Sequence, residues 1–282
     1  MKTGLVMEGG AMRGMFTCGV IDVFMEQNIV FDGAIGVSAG AVFGCNYKSG
    51  QIGRPLRYNK AYCKDKRYGS VWSFLKTGDL FDVDFCYHEI PYELDIWDDR
   101  AFRNNPMEFY VTCTDAQLGA PVYHKCTTGG SEDILWMQGS ASIPGVSKVV
   151  HADGYELFDG GISDAVPLKQ LEKYGYDRNV VILTQPADYR KTPLKGMPLM
   201  RLALRKYPKM IGLIESRPER YNAQVAWICE REAKGEILVI RPKEKLDISS
   251  IESNPDKLEA VYQLGREAAL EKLEEIRAYL KG

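Results

Sequence analysis

Histidine is the scarcest reactive residue in the chain: only His88, His124 and His151 occur in 282 residues. A hydrolase with the chain order serine, acid, histidine needs a histidine after its acid, and none lies beyond residue 151. The seven cysteines form no C-x-x-C pair. That excludes zinc-ribbon spacing and fits reduced thiols in a reducing compartment. No apolar run reaches the roughly 18 residues of a transmembrane helix. Residues 1–10 hold no stretch of signal-peptide type, so a cytoplasmic location is expected. A formal net charge of −2 leaves no nucleic-acid footprint. No internal repeat and no low-complexity tract is present, and oligomeric state is not encoded in any pattern here.

Glycine, by contrast, is plentiful at 27 residues. The first informative stretch is Gly9-Gly10-Ala11-Met12-Arg13-Gly14. It follows the apolar Leu5-Val6-Met7 and precedes Phe16, Val20, Val23 and Phe24 at helical spacing. A glycine loop between strand and helix points backbone N–H groups at one spot, beside the positive end of the helix dipole. Such a nest holds a phosphate or a developing oxyanion. A dinucleotide fingerprint fits poorly, because Ala11 fills its middle glycine position and no acidic residue follows in Gln27-Asn28-Ile29-Val30. A P-loop is excluded, since no Gly-Lys-Ser/Thr follows.

The second stretch is Gly36-Val37-Ser38-Ala39-Gly40, between the strand-like Phe31–Val37 and the small-residue helix start Ala39–Cys45. Gly-x-Ser-x-Gly in that context puts a serine on a sharp turn. A helix-capping serine in a plain glycine turn is the bland alternative. The third stretch is Asp159-Gly160-Gly161, after Tyr155-Glu156-Leu157-Phe158. It reads as a strand end feeding a turn, or as an ordinary Asp-Gly turn. Together the three supply an anion cradle, an exposed serine and a carboxylate base. Asp115 with His124 or His151 would restore a triad order and stays as an alternative.

With its order and spacing, this set resembles the patatin-like phospholipase family over residues 1 to about 190. Thr112-Cys113-Thr114-Asp115, Gly139-Ser140-Ala141-Ser142-Ile143-Pro144 and Asp159-Gly160-Gly161-Ile162-Ser163-Asp164-Ala165-Val166-Pro167 are similar to further segments of that family. The resemblance implies a Ser38–Asp159 dyad working through an acyl-enzyme, and an oxyanion hole from Gly9, Gly10, Ala11, Met12, Arg13 and Gly14. It also implies Gly36 and Gly40 as elbow glycines, Gly160 and Gly161 as turn glycines, a lipid or other acyl-ester substrate, no cofactor and no metal. Ala11 departs from the family's usual glycine. A non-catalytic lipid-binding protein of the same fold is the competing reading.

Alternating strands near 3–7, 31–37, 108–114 and 180–184 predict an α/β fold, with a mainly parallel central sheet flanked by helices. Residues 121–126 and 146–158 suggest a hairpin-like pair. The aromatic-rich 50–107 reads as a cap over the site or as an ordinary insertion. Residues 191–282 read as a mostly helical C-terminal extension packed on a domain of 1–190, with a last strand at 235–242 and one long amphipathic helix from Asn254 to Leu280. Residues 189–220 carry nine basic and two acidic residues. That run fits a solvated helix face or peripheral docking on an anionic membrane.

Overall fold

A computed structural model of the chain describes residues 1–281. Its strands are β1 (Lys2–Met7), β2 (Gly33–Val37), β3 (Glu108–Asp115), β4 (Ala120–Cys126), β5 (Val150–Ala152), β6 (Tyr155–Asp159), β7 (Tyr176–Ile182) and β8 (Leu238–Ile240). They form one sheet in the order β5-β6-β3-β2-β1-β7-β8, with β4 added on β3. The central strands β3, β2, β1, β7 and β8 run parallel. Strands covered on both faces must be apolar throughout. Leu5-Val6-Met7, Ala34-Ile35 and Val180-Val181-Ile182 are accordingly all buried.

Helices cover both faces. Those used below are α1 (Gly14–Glu26), α2 (Ala39–Val42), α3 (Val71–Thr77), α4 (Ser131–Ser140), α5 (Met197–Ala203), α6 (Pro208–Glu215), α7 (Arg217–Ala233), α8 (Pro255–Glu271) and α9 (Leu273–Lys281). The predicted α/β class and the mainly parallel sheet are therefore observed, as is a largely helical C-terminal region. That region is also tied into the sheet, because β8 pairs with β7 at Val180↔Leu238. The Tyr262 hydroxyl of α8 donates to Asp22 of α1 at 2.7 Å, and the Gly53 amide donates to the same carboxylate at 2.9 Å.

Two local expectations change. Residues 121–126 do not pair with the later segment; β4 folds back on β3 instead. The reason is the short link between them, where the Asp115 carboxylate accepts from the Gln117 and Leu118 amides and Gly119 takes φ 62°. Such a turn returns a strand onto its predecessor. The hairpin lies wholly within 150–159, as β5 and β6, joined by Asp153-Gly154 with both φ values positive. The long C-terminal helix is interrupted at Lys272, giving α8 and α9.

The register of β3 decides where the site lies. β4 occupies one edge of β3 from Phe109 to Asp115. The other edge is shared: β2 pairs with residues 108–112 and β6 with 113–115. Val37 sits opposite Thr112 and Asp159 opposite Cys113. The C-terminal ends of β2 and β6 thus meet head to head.

Candidate active site

That meeting brings Ser38 and Asp159 together, although they are far apart in sequence. Ser38 follows β2 and caps α2, with φ 53° and ψ −122°. A non-glycine residue there stores about 1–3 kcal/mol of strain, which persists only where its surroundings over-determine it. Two contacts do so. The Ser140 hydroxyl accepts from the Ser38 amide at 2.8 Å and donates to the Thr112 carbonyl at 2.6 Å. Behind the serine, a Cβ on Gly40 would stand 2.2 Å from the Met7 carbonyl oxygen, so only glycine fits. Gly36 lies against the Gly40 carbonyl in the same crossing.

Asp159 is buried and is held from both chain directions. Its amide donates to the Ser142 carbonyl, and its carboxylate accepts from the Gly161 amide at 2.7 Å. Gly160 packs onto the Thr112 carbonyl, where a Cβ would stand at 2.1 Å. Burial pushes the Asp159 carboxyl above its ordinary value. Arg217, hydrogen bonds from Ser38 and the Gly161 amide, and Lys191 oppose this. A raised carboxyl is a better base than a solvated one.

The glycine loop closes the third side. Ala11–Arg13 form one turn of 3₁₀ helix leading into Gly14 and α1. Ala11 takes φ 49°, the left-handed region that alanine enters at a cost of about 1 kcal/mol. Among the described residues, the Gly10 and Ala11 amides donate to no protein acceptor. The loop is tethered by Thr184, whose hydroxyl donates to the Gly9 carbonyl at 2.9 Å. Glu8, buried just before the loop, accepts from the Thr184 amide at 2.6 Å and the Tyr221 hydroxyl at 2.7 Å. A Cβ on Gly9 would stand 2.8 Å from the Ser38 Cβ, so loop and serine touch. Met12 is buried, and the Arg13 Nε is buried with no hydrogen-bond partner.

Beside Ser38 and Ala11 opens an apolar cavity of about 150 Å³, lined by Phe43, Tyr58, Tyr68, Phe81, Tyr87 and Trp97 among others. All but Phe43 come from residues 50–107.

The histidines bond elsewhere. His124 Nε2 is 3.0 Å from Asp133 Oδ1, and its ring stacks on Trp136. His151 is exposed beside Glu156, and His88 is exposed. Asp115 is occupied with its own turn. His124, Cys126 and Asp133 could together offer three metal-ligand atoms. However, the other Asp133 oxygen already accepts from the Thr128 and Gly129 amides, as a loop clasp.

Sequence reasoning did not single out Glu8, Thr184, Lys191, Arg217 or Tyr221. The Arg217 Nε donates to the Gly161 carbonyl at 2.8 Å, and Arg220 donates to the Ile162 and Ser163 carbonyls. The basic run 189–220 contained both arginines and Lys191. Its signal was there, but composition alone cannot separate an inward cation from a surface one.

Residues 5–172 match the family model described as patatin-like phospholipase, and residues 207–281 match a domain of unknown function, DUF6363. The chain is 30% identical over 274 residues to the uncharacterized protein YjjU of Escherichia coli, covering 94% of this chain and 75% of that one. It is 27% identical over 185 residues to the lysophospholipase nte1 of Aspergillus fumigatus, covering 62% of this chain but 11% of that one. VipD from Legionella pneumophila superposes with a TM-score of 0.50 at 14% identity, over 97% of this chain and 67% of that chain. That last likeness is one of fold.

Proposed function

The chain belongs to the patatin-like phospholipase family, and from that premise we propose that it hydrolyses lipid acyl esters with Ser38 as nucleophile and Asp159 as base. The observation that carries this reading is the shared edge of β3, which sets the strained Ser38 beside a buried carboxylate. In the first half-reaction the Ser38 Oγ attacks the ester carbonyl carbon while its proton passes to Asp159. The carbonyl oxygen becomes an oxyanion, and the free Gly10 and Ala11 amides are the donors for it. Collapse expels the alcohol, which takes the proton from Asp159 and leaves an acyl-Ser38. Water then attacks the acyl carbon while Asp159 accepts its proton, and collapse breaks the bond to Ser38 Oγ, which takes that proton back from Asp159 as the acid departs. The acyl chain lies in the cavity under residues 50–107, whose aromatic walls suit it.

A fluorophosphonate probe tests this reading. It should label the native protein at Ser38 alone, as mapped by mass spectrometry, and the protein should turn over a p-nitrophenyl ester. No labelling and no turnover would favour a lipid-binding protein that keeps the fold without chemistry.

Access to a lipid aggregate would use one face. No helix among the described residues is long and apolar enough to cross a membrane. Yet Val71 and Leu75 of α3 and Leu199 and Leu202 of α5 are 64–78% exposed. Both helices adjoin the loop 143–148: the Lys148 amide donates to Asp79 just after α3, and Gly145 lies against Met200 of α5. Ile143 and Ser147 of that loop line the cavity. Exposed Lys195, Arg205, Lys206 and Lys209 surround α5. Apolar anchors ringed by basic residues favour an anionic lipid surface. The protein should float with phosphatidylglycerol vesicles and much less with phosphatidylcholine ones. A Leu199→Asp/Leu202→Asp variant should float poorly while hydrolysing a water-soluble ester normally. Unchanged flotation of that variant would remove this face.

A further inference from the structure

Helix α7 turns a polar stripe toward the two catalytic loops. Arg217, Arg220, Tyr221 and Gln224 recur at helical spacing and share one face. An inward face of that spacing is ordinarily apolar, and polar groups turned inward are unfavourable unless bonded. Here each of the four is bonded. The Arg217 Nε donates to the Gly161 carbonyl at 2.8 Å. Arg220 donates to the Ile162 carbonyl at 2.6 Å and the Ser163 carbonyl at 2.9 Å. Gln224 donates to Asp164 Oδ1 at 2.7 Å and the Val166 carbonyl at 2.8 Å. The Tyr221 hydroxyl donates to Glu8, the residue before the oxyanion loop, at 2.7 Å. One turn further on the same face reverts to Val225 and Ile228, both buried. The stripe therefore grips residues 161–166, the segment that leaves Asp159.

Arg217 brings more than that grip requires. A neutral amide would serve the Gly161 carbonyl equally well, so the charge is surplus to the bond. A Cβ on Gly161 would stand 3.0 Å from Asp159 Oδ1 and 3.3 Å from Arg217 Nη2. The carboxylate and the guanidinium thus lie side by side over that glycine. Burial pushes the Asp159 carboxyl up, and among the groups that oppose it Arg217 acts most strongly. The other ionisable groups facing Asp159 are Lys191 from the segment after β7, Tyr87 from the cavity wall and Cys113 of β3. Burial pushes Tyr87 and Cys113 up, so both stay neutral. The charges acting on Asp159 are those of two cations, with Arg217 the stronger.

We propose that Arg217 is a positioning residue for the base: its Nε fixes the turn that carries Asp159, and its charge sits across Gly161 from the carboxylate that takes the Ser38 proton. Ser38 and Asp159 lie within the region that matches the patatin-like family, whereas Arg217 and the rest of the stripe lie inside the domain of unknown function. That domain thereby completes the catalytic machinery. The kinetic consequence rests on the hydrolase reading, but the coupling of Arg217 to the ionisation of Asp159 does not.

The test is the pH profile of kcat/KM on a water-soluble p-nitrophenyl ester. Arg217→Gln, which can still donate to Gly161, should move the acidic limb upward by about one pH unit, the scale of one opposite charge lost nearby. Activity then falls roughly tenfold below the limb and recovers toward the native value above it. Arg217→Lys should leave the limb near its native place. Arg220→Gln loosens the same turn and should lower the rate about equally at every pH. An unmoved limb in Arg217→Gln, or an equal movement in Arg220→Gln, overturns the proposal. Loss of folding in both Arg217→Gln and Arg217→Met makes the residue structural and overturns it as well. The second arm needs no turnover. In Ser38→Ala with ¹³C-labelled aspartate, the Asp159 carboxyl resonance, assigned by its absence in Asp159→Asn, should titrate about one pH unit higher when Arg217→Gln is added. If native protein turns over no ester while this titration moves, the hydrolase reading fails and the coupling stands. A titration that does not move overturns the coupling.

Discussion

Ser38→Ala is expected to lower ester turnover by on the order of 10⁴-fold or more, with the fold intact. The size follows from what is removed. The cavity, the free Gly10 and Ala11 amides and Asp159 all remain, so substrate binds, but no acyl-enzyme forms. Residual turnover reflects water attack aided by the oxyanion donors alone. Stability should barely change, because alanine has the same Cβ as serine and meets the same strain at φ 53°. Ser38→Gly gives a useful contrast. It should be equally inactive yet unfold at higher denaturant concentration, since glycine relieves a strain of about 1–3 kcal/mol. Turnover retained by Ser38→Ala, with native circular dichroism, would remove Ser38 as the nucleophile.

The three glycine stretches were legible in sequence because each places a local constraint on the backbone. Gly40 must pass the Met7 carbonyl and Gly160 the Thr112 carbonyl, and no side chain fits either crossing. The parallel core strands were legible too, through runs such as Val180-Val181-Ile182. The route by which Ser38 reaches Asp159 was not. It depends on β2 and β6 dividing one edge of β3 between residues 112 and 113, and nothing local to Val37 or Phe158 encodes that division. The return of β4 onto β3 was missed for a related reason: the Asp115 side chain builds the turn, while the sequence offers only one glycine there, Gly119. The basic run 189–220 shows the limit of composition. Lys191 and Arg217 turn inward to the site, while Lys195, Arg205 and Lys206 face solvent. Only the partners Asn222, Tyr221 and Gly161 distinguish the two groups.

Asp159→Asn should abolish turnover to a similar degree while leaving the protein at least as stable at neutral pH. Asparagine keeps the size and can still accept from the Gly161 amide, but its amide oxygen cannot take the Ser38 proton. The stability half follows from the sign of the shift. Burial raises the folded Asp159 above its unfolded value of about 3.9. Its contribution to stability is therefore fully present below that unfolded value and is lost as pH rises through the folded one. At neutral pH the ionised side chain is a cost that Arg217, Ser38 and Gly161 only partly offset, and asparagine removes the cost. The variant's advantage in denaturant unfolding should shrink on acidification toward the unfolded value, where the native side chain is protonated too. In the native enzyme kcat/KM should fall as pH drops through the raised value, because the base must be ionised to accept a proton. His124→Ala and His151→Ala should leave that acidic limb in place, since neither ring bonds to Ser38 or Asp159. If either histidine variant is inactive and properly folded while Asp159→Asn still turns over substrate, the proton goes to an imidazole and the two-residue mechanism is wrong.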